Sequence, residues 1–297
     1  MKKLVIDIGG TAIKYAIMDM DATIHEKGEL DTPTDTLEHL LDVITSLYYK
    51  FRDKVDGIAL SMPGNIDSDT GEIYTPGALT YNANVNIIKA IQERVNVNVA
   101  VENDGKSAAL AELWKGNLSD CKDGIVLIIG TGIGGGIIHQ GKLIKGKHFF
   151  AGEVSYLVTD LNSQGMENVF ALKGSTTALI LQVAALKGIE PSTLDGKKIF
   201  EWIHEGDKDS MAALENIANN IAVQIYNLQC LFDPEKVCIG GGISKQKLLI
   251  EKIQEKLNSM YEKIPFPIPH AIVENCAYYN DSNLIGALYN YKTHYEC

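Results

Sequence analysis

Hydrophobic residues recur along this chain with two different periods. Largely aliphatic runs at 4–8, 55–62 and 125–129 predict strands that are buried on both faces of a sheet. Apolar positions spaced three and four residues apart over 35–51 and 208–231 predict amphipathic helices. The alternation of buried strands with helices predicts an α/β fold.

Two of the predicted strands lead into glycine turns and then into a second strand. The run at 4–8 enters Gly9-Gly10-Thr11 and continues at 12–18, and the run at 125–129 enters a glycine-rich turn and continues to residue 138. The two units lie about 120 positions apart, which is close to the size of an ordinary domain. This repetition predicts a duplicated architecture.

The second turn contains Gly130, Gly132 and Gly135 in the spacing of a dinucleotide-binding fingerprint. That fingerprint requires a helix after its last glycine, whereas 137–143 predicts a hairpin, so a Rossmann fold is not indicated. Glycines let backbone N–H groups approach an anion closely because they lack a Cβ. Either turn alone is typical of an ordinary hairpin. The pair, with an aspartate and a threonine beside the first, favours binding of nucleotide phosphates.

Further elements follow from periodicity and from capping residues. Asn86 and Ser244 are expected to cap the helices that follow them. The remaining strands are expected at 23–29, 98–101 and 237–239, and the helices at 35–51, 87–95, 106–114, 175–187, 196–204, 208–231, 247–261 and 281–291.

Polar residues follow the short strand at 98–101, in the order Glu102-Asn103-Asp104-Gly105. The carboxyl end of a strand, beside a helix N-terminus, is where open α/β sheets place their chemistry. Taken alone, Asp104 is most simply a helix N-cap. Together with two phosphate-binding turns, it is the best candidate for a base that acts on a substrate hydroxyl.

Composition narrows the class of protein. The chain has 297 residues, 45% hydrophobic and 22% charged, which suits two globular domains. Its formal net charge of −11 disfavours nucleic acid and anionic membranes as partners and favours a small-molecule substrate. No apolar run reaches about 18 residues and no signal peptide is evident, so a cytoplasmic protein is expected. Five cysteines without a C-x-x-C pair indicate neither a disulfide framework nor a standard zinc site.

Four motifs carry a resemblance to a known family. They are Asp7-Ile8-Gly9-Gly10-Thr11, Glu102-Asn103-Asp104-Gly105, the glycine turn at 130–136, and Ile239-Gly240-Gly241-Gly242-Ile243. In this order and spacing the chain resembles the ROK family of bacterial sugar kinases, in the actin/hexokinase-like ATPase superfamily, over essentially its whole length. The resemblance implies a duplicated actin-like ATPase (ribonuclease H-like) α/β fold with two domains around a cleft for nucleotide and sugar. The expected domains are 1–118, joined by a C-terminal helix at about 281–297, and 119–280.

The resemblance implies ATP and Mg²⁺ as cofactors. The implied nucleotide-binding residues are Asp7 for the magnesium, Gly9, Gly10 and Thr11 in the first phosphate turn, Thr131 and Gly132 in the second, and Gly240, Gly241 and Gly242 against the adenosine.

The resemblance also implies a sugar site. Asp104 corresponds to the general base and Asn103 to the residue that holds sugar hydroxyls, while Glu153 resembles the glutamate that binds the ring near its anomeric end. Gly64 and Tyr156 complete the expected substrate-binding residues. In such a kinase the protein positions the reactants and neutralises charge, while the base orients the hydroxyl and accepts its proton late.

The chain departs from many ROK kinases after Glu153. Those kinases continue with a zinc-ligating histidine and a cysteine-rich loop, whereas here Val154-Ser155-Tyr156 follows and 157–174 contains no cysteine. We therefore expect no zinc. Tyr156, in the histidine position, resembles a zinc-free subgroup that includes N-acetylmannosamine kinases and β-glucoside kinases. A second sugar-binding glutamate has no settled position, and Glu167 is a candidate.

The leading expectation is an ATP-dependent kinase acting on the 6-hydroxyl of a hexose or N-acylhexosamine. N-Acetylmannosamine is slightly preferred as the substrate, and glucose or a β-glucoside is the alternative. A catalytically inactive sugar sensor is the alternative of another class, although Asp7, Thr11 and Asp104 are all present. The family's repressors carry a helix-turn-helix ahead of the kinase-like part, whereas here the first strand is expected from residue 4. The resemblance also implies a homodimer.

Overall fold

The computed structural model describes residues 1–162 and 165–296. Cys297, one of the five cysteines and the last residue of the predicted C-terminal helix, lies outside the described residues. The chain divides into two compact units. The first comprises Met1–Ser119, Leu143–Gly152 and the residues from Asn280 onward, and the second comprises Asp120–Lys142 and Glu153–Tyr279.

The first unit contains a five-stranded sheet and a smaller three-stranded one. Its strands are β1 (Lys2–Ile8), β2 (Ala12–Met18), β3 (Ile24–Asp31), β4 (Val55–Met62), β5 (Asn65–Ile66), β6 (Glu72–Thr75), β7 (Val85–Asn86) and β8 (Asn98–Asn103). The larger sheet has the order β3-β2-β1-β4-β8, in which β2 is antiparallel to both neighbours and β1, β4 and β8 are parallel. Leu4, Ile6 and Ile58 on these strands are fully buried, as their aliphatic runs predict.

The helices of the first unit are α1 (Leu37–Phe51), α2 (Ile87–Gln92), α3 (Asp104–Lys115) and the last helix of the chain, α9 (Ser282–Tyr295). The first three begin at side chains that satisfy free backbone N–H groups. Thr36 caps α1, Asn86 caps α2 and Asn103 caps α3, each by accepting a hydrogen bond from a backbone N–H of the first turn. The predicted cap at Asn86 is confirmed.

The second unit repeats the strand pattern of the first. Its elements are β9 (Gly124–Ile129), β10 (Ile133–His139), β11 (Lys142–Leu143), α4 (Phe170–Gly174), α5 (Thr176–Lys187), α6 (Gly196–His204), α7 (Lys208–Phe232), β12 (Lys236–Gly240), α8 (Lys247–Tyr261) and β13 (Val273–Asn275). The sheet order is β11-β10-β9-β12-β13, with β10 antiparallel to β9 and with β9, β12 and β13 parallel. An antiparallel hairpin followed by two parallel strands thus occurs in both sheets, which confirms the predicted duplication. No helix among the described residues combines the length and apolar character needed to cross a membrane.

The predicted cap at Ser244 is wrong. The residue before α8 is Gln246, whose side chain makes no capping hydrogen bond, whereas Ser244 Oγ donates to Gly241 O at 2.8 Å. The reason is local, because Gly242–Lys245 form a 3-10 turn and the serine hydroxyl closes that turn instead.

Candidate functional site

The carboxyl ends of β1, β4 and β8 lie side by side at one edge of the first sheet. Asp7, Ser61 and Glu102 occupy equivalent register positions on these three parallel strands. Ser61 Oγ donates a hydrogen bond to Asp7 Oδ1 at 2.9 Å, so these two side chains share one face of the sheet. The fold therefore brings the motif that contains Asp7 and the motif that contains Asp104 to the same edge.

Asp7 is a nearly buried carboxylate held from two directions. Besides Ser61, Asn283 at the start of α9 donates through Nδ2 to Asp7 Oδ1 at 3.0 Å. Burial raises the pKa of Asp7, while both hydrogen bonds and the positive charge of Lys14 act in the opposite direction. Within the described residues these hydrogen bonds both end on Oδ1, and Oδ2 is the atom left for a cation. One carboxylate oxygen plus water is the kind of ligand set that Mg²⁺ accepts, so the residue fits the implied ion.

The turn after β1 presents backbone groups to solvent. Gly9 N donates to Ala12 O at 2.9 Å, and Thr32 Oγ1 donates to Gly9 O at 2.7 Å, which together fix the turn. Gly10 and Thr11 are exposed at its tip. A rigid, exposed turn with two glycines suits close approach of a phosphate.

Asn103 and Asp104 lie where β8 becomes α3. Asn103 Oδ1 accepts from Lys106 N at 3.0 Å, and Asn103 Nδ2 donates to Asp104 Oδ1 at 2.9 Å. Asp104 Oδ1 also accepts from Gly105 N at 2.8 Å. The N-cap of α3 is therefore Asn103, and Asp104 is the first helical residue. Asn103 is buried and Asp104 only half-buried, so the network orients a carboxylate that stays partly accessible to solvent.

Gly64 supports Asn103 through its backbone. Gly64 O accepts from Asn103 Nδ2 at 3.0 Å, which engages the second amide proton of that side chain. The remaining lone pair of Asn103 Oδ1 can accept one further hydrogen bond. Gly64 has a φ of +116°, and a Cβ there would overlap the carbonyl oxygen of Thr75, so only glycine suits the position.

Glu102 is a fully buried carboxyl beside this network. Its Oε1 accepts from Asn103 N at 2.9 Å, and Lys145 Nζ lies 3.9 Å from its Oε2. Burial raises the pKa of Glu102, and the Lys145 ammonium is the largest influence in the opposite direction. Lys145 also pairs with Asp69 at 3.0 Å, so it ties the segment Leu143–Gly152 to the rest of the first unit.

Two glycine turns lie next to each other in the second unit. Strands β9 and β12 are parallel neighbours with Ile128 opposite Gly240, which places the turn at 130–132 beside the turn at 240–242. Thr131 and Gly132 are exposed, and Gly130 O accepts from Thr176 N at 2.9 Å at the start of α5. The structure thus brings together the residues predicted for the second phosphate turn and for the adenosine.

The glycines of these two turns differ in the space that an added side chain would have. A Cβ on Gly240 would overlap the Ile128 side chain, and one on Gly241, which has a φ of +89°, would overlap the carbonyl oxygen of Ile129. At Gly132 and Gly242 an added Cβ would meet no atom within 4 Å. Packing therefore requires Gly240 and Gly241, whereas the open space beside Gly132 and Gly242 suits a ligand.

The variant Gly132→Ala is expected to raise the KM for MgATP without lowering the melting temperature. The added methyl enters open space, so it disturbs the bound phosphates rather than the fold. Overpacking of about 1–3 kcal/mol corresponds to a KM increase of roughly fivefold to 150-fold. The matched control is Gly135→Ala in the same motif, whose Cβ would overlap Val126 O and should lower the melting temperature. An unchanged KM in Gly132→Ala would contradict the assignment of this turn to phosphate.

The residues predicted near the anomeric end of the sugar belong to the second unit. Glu153 is half-buried directly before a 3-10 turn that contains Tyr156, which is 51% exposed. Glu167 is exposed in a second 3-10 turn. Phe170 N donates to Leu157 O at 2.7 Å, so the segments that carry Tyr156 and Glu167 run side by side. Their contact with a sugar stays a prediction.

The sequence did not indicate three residues of the network at this edge of the first sheet. Asn283 reaches Asp7 across 276 positions, and no local pattern signals such a contact. Lys106 is 1% exposed, and its only signal is a lysine inside the otherwise small and apolar run at 105–111. Lys145 carries no signal, because it lies in an irregular segment.

Comparison with known proteins agrees with this geometry. The sequence model of the ROK family matches residues 3–294. This chain belongs to the ROK family. A beta-glucoside kinase of Listeria monocytogenes is 32% identical to it over 98% of this chain and 97% of that protein.

Solved structures of ROK proteins have the same fold. The Lmo2764 protein of Listeria monocytogenes, provisionally named an N-acetylmannosamine kinase, superimposes with a TM-score of 0.91 at 30% identity and covers 99% of both chains. A ROK family protein of Streptococcus pneumoniae TIGR4, in complex with sucrose, gives a TM-score of 0.90 at 30% identity over 99% of this chain and 98% of that chain. The expected actin-like, two-domain fold of ROK sugar kinases is confirmed.

Proposed function

We propose that this protein transfers the γ-phosphate of ATP to the 6-hydroxyl of a hexose or an N-acylhexosamine, with Asp104 as the general base. The coarser activity, ATP-dependent phosphorylation of a sugar, follows from membership of the ROK family and from relatives such as the beta-glucoside kinase. The observation that carries the finer proposal is the half-buried carboxylate of Asp104, oriented by Gly105 N and Asn103 Nδ2.

Asp104 acts on the attacking hydroxyl in this proposal. The hydroxyl oxygen forms a bond to the γ-phosphorus while the bond from that phosphorus to the bridging oxygen of ADP breaks. The transition state is loose, so the proton passes late from the hydroxyl to Asp104. Asn103 Oδ1 accepts from a neighbouring sugar hydroxyl and so fixes the ring relative to the base.

Backbone groups neutralise the phosphates. In the first unit, Gly9, Gly10 and Thr11 supply N–H groups at an exposed turn, and Asp7 would hold the magnesium ion. In the second unit, Thr131 and Gly132 supply N–H groups, and Gly242 offers open space for the adenosine. When bound, Mg²⁺ stabilises charge on the phosphate oxygens. Glu153 and Tyr156 bind the sugar near its anomeric end, with Glu167 as a candidate for a second glutamate.

Two kinds of substrate are compatible with the proposed function. Tyr156 in place of the zinc-ligating histidine suits both of these substrates. N-Acetylmannosamine is supported by the provisional name of the Lmo2764 structure. Glucose or a β-glucoside is supported by the beta-glucoside kinase, which matches almost the whole chain.

A coupled assay of ADP release from MgATP tests the proposal. The panel is glucose, cellobiose, N-acetylmannosamine, N-acetylglucosamine, mannose and fructose, with product analysis for a 6-phosphate. We expect sugar-dependent turnover with at least one member. If no sugar stimulates turnover while one of them raises the melting temperature, the protein is a sugar sensor and the catalytic assignment of Asp104 is wrong.

A further inference from the structure

Two partly exposed aromatic side chains of the first unit form a pair near Asn103 and Asp104. The rings of Tyr74 and Phe149 have centroids 6.4 Å apart with 32° between their planes. Tyr74 is 47% exposed and Phe149 is half-buried. The mechanism proposed above uses neither ring. Paired, partly exposed aromatic faces next to convergent polar groups are typical of a ligand site.

Backbone and side-chain contacts place both rings close to the catalytic carboxylate. Tyr74 precedes Thr75, whose carbonyl packs against Gly64, and Gly64 O accepts from Asn103 Nδ2 at 3.0 Å. On the side of Phe149, Asn65 Nδ2 donates to His148 O at 3.0 Å. Both rings are therefore attached to the loop that supports Asn103.

Lys106 holds Phe149 in place. Its Nζ donates to Phe149 O at 2.6 Å, and Lys106 is 1% exposed on the first turn of α3, two positions after Asp104. A buried ammonium requires polar partners, so this contact fixes the carbonyl of Phe149 relative to Asp104. Phe149 has a φ of +56°, an uncommon conformation for a bulky residue that costs about 1–3 kcal/mol. The contacts made by the Phe149 and His148 carbonyls hold that conformation.

We propose that Tyr74 and Phe149 form an aromatic subsite for the second ring of a β-glucoside, with Lys106 as a positioning residue for Phe149. This inference rests on the proposed function. In a glucopyranoside C1 and C5 both flank the ring oxygen, so the C1 substituent leaves the ring next to the CH2OH group whose hydroxyl lies at Asp104. The polar groups of Asn103 and Asp104 suit the ring that is phosphorylated, whereas exposed aromatic faces suit the apolar face of an added ring.

The test compares cellobiose with glucose in the full-length protein. Tyr74→Ala and Phe149→Ala are expected to lower the ratio of kcat/KM for cellobiose to kcat/KM for glucose about tenfold each, mainly through the KM for cellobiose. Phe149→Leu keeps an apolar side chain without a flat face and should lose most of the same ratio. Tyr49→Ala is the matched control, because Tyr49 is an aromatic residue of the same unit that is 52% exposed on α1.

Lys106 is tested by non-additivity. Lys106→Met should lower the same ratio, and combining it with Phe149→Ala should lower it no further than Phe149→Ala does alone, because Lys106 acts only through the position of the Phe149 ring. Full additivity in this cycle would contradict the positioning role.

The results of these assays distinguish an error in the aromatic subsite from an error in the proposed kinase activity. If Tyr74→Ala and Phe149→Ala leave the ratio unchanged, or if the wild-type protein phosphorylates N-acetylmannosamine and not cellobiose, the aromatic subsite is wrong while the kinase activity stands. A wild-type protein that turns over no sugar contradicts the proposed function, and the subsite with it.

Discussion

Replacing Asp104 by asparagine is expected to lower kcat by about 10²–10⁴-fold, the usual contribution of a general base. Asparagine keeps the size of the side chain and an oxygen that can accept from Gly105 N and Asn103 Nδ2, so α3 and its cap should be preserved. It cannot accept the proton of the attacking hydroxyl. The KM for the sugar should therefore change little while turnover is lost.

The measurement is ADP release at saturating sugar and MgATP, with the melting temperature recorded in parallel. Asp53→Asn is the matched control, because the side chain of Asp53 is 96% exposed and the same charge is removed. A kcat in Asp104→Asn within threefold of the control would show that Asp104 is not the base. A large fall in melting temperature would instead point to the cap network as the role of this residue.

Replacing Gly286 by alanine is expected to lower the free energy of unfolding by about 1–3 kcal/mol or more. Gly286 lies on α9 where this helix crosses α3, and an added Cβ would overlap the backbone carbonyl oxygen of Ser107. Backbone atoms cannot move aside as a flexible side chain can, so the two helices must separate. Intrinsic propensity predicts the opposite sign, since alanine in a helix interior is favoured over glycine by about 1 kcal/mol.

Urea unfolding of the wild-type protein and of Gly286→Ala shows whether the substitution lowers or raises the free energy of unfolding. Thr293→Ala on the same helix is the control, because Thr293 is exposed and its hydroxyl donates within α9, to Asn290 O at 2.9 Å. Equal or greater stability of Gly286→Ala would refute the close approach of the helices. Activity should fall as well, because α9 carries Asn283 to Asp7 and α3 begins at Asp104.

Much of the fold could be predicted from local pattern. Buried strands carry largely aliphatic residues and amphipathic helices carry apolar residues at a spacing of three to four, so 55–62, 196–204 and 247–261 have the predicted limits. The repeated strand, glycine turn and strand indicated the duplication, because each glycine turn closes a hairpin of neighbouring residues. The capping hydrogen bonds of Thr36 and Asn86 are local as well, because each side chain accepts from a backbone N–H three residues further along the chain.

The sequence by itself determined these local features and the four motifs, since each depends on residues close together in the chain. Only the tertiary structure decided which glycines are required by packing and which border open space, because the atoms around Gly132, Gly241 and Gly286 come from other elements. The same holds for Asn283 on Asp7 and for Lys106 on the carbonyl of Phe149, contacts across 276 and 43 positions. Such contacts arise when distant segments pack, and the periodicity of one segment contains no information about its partner.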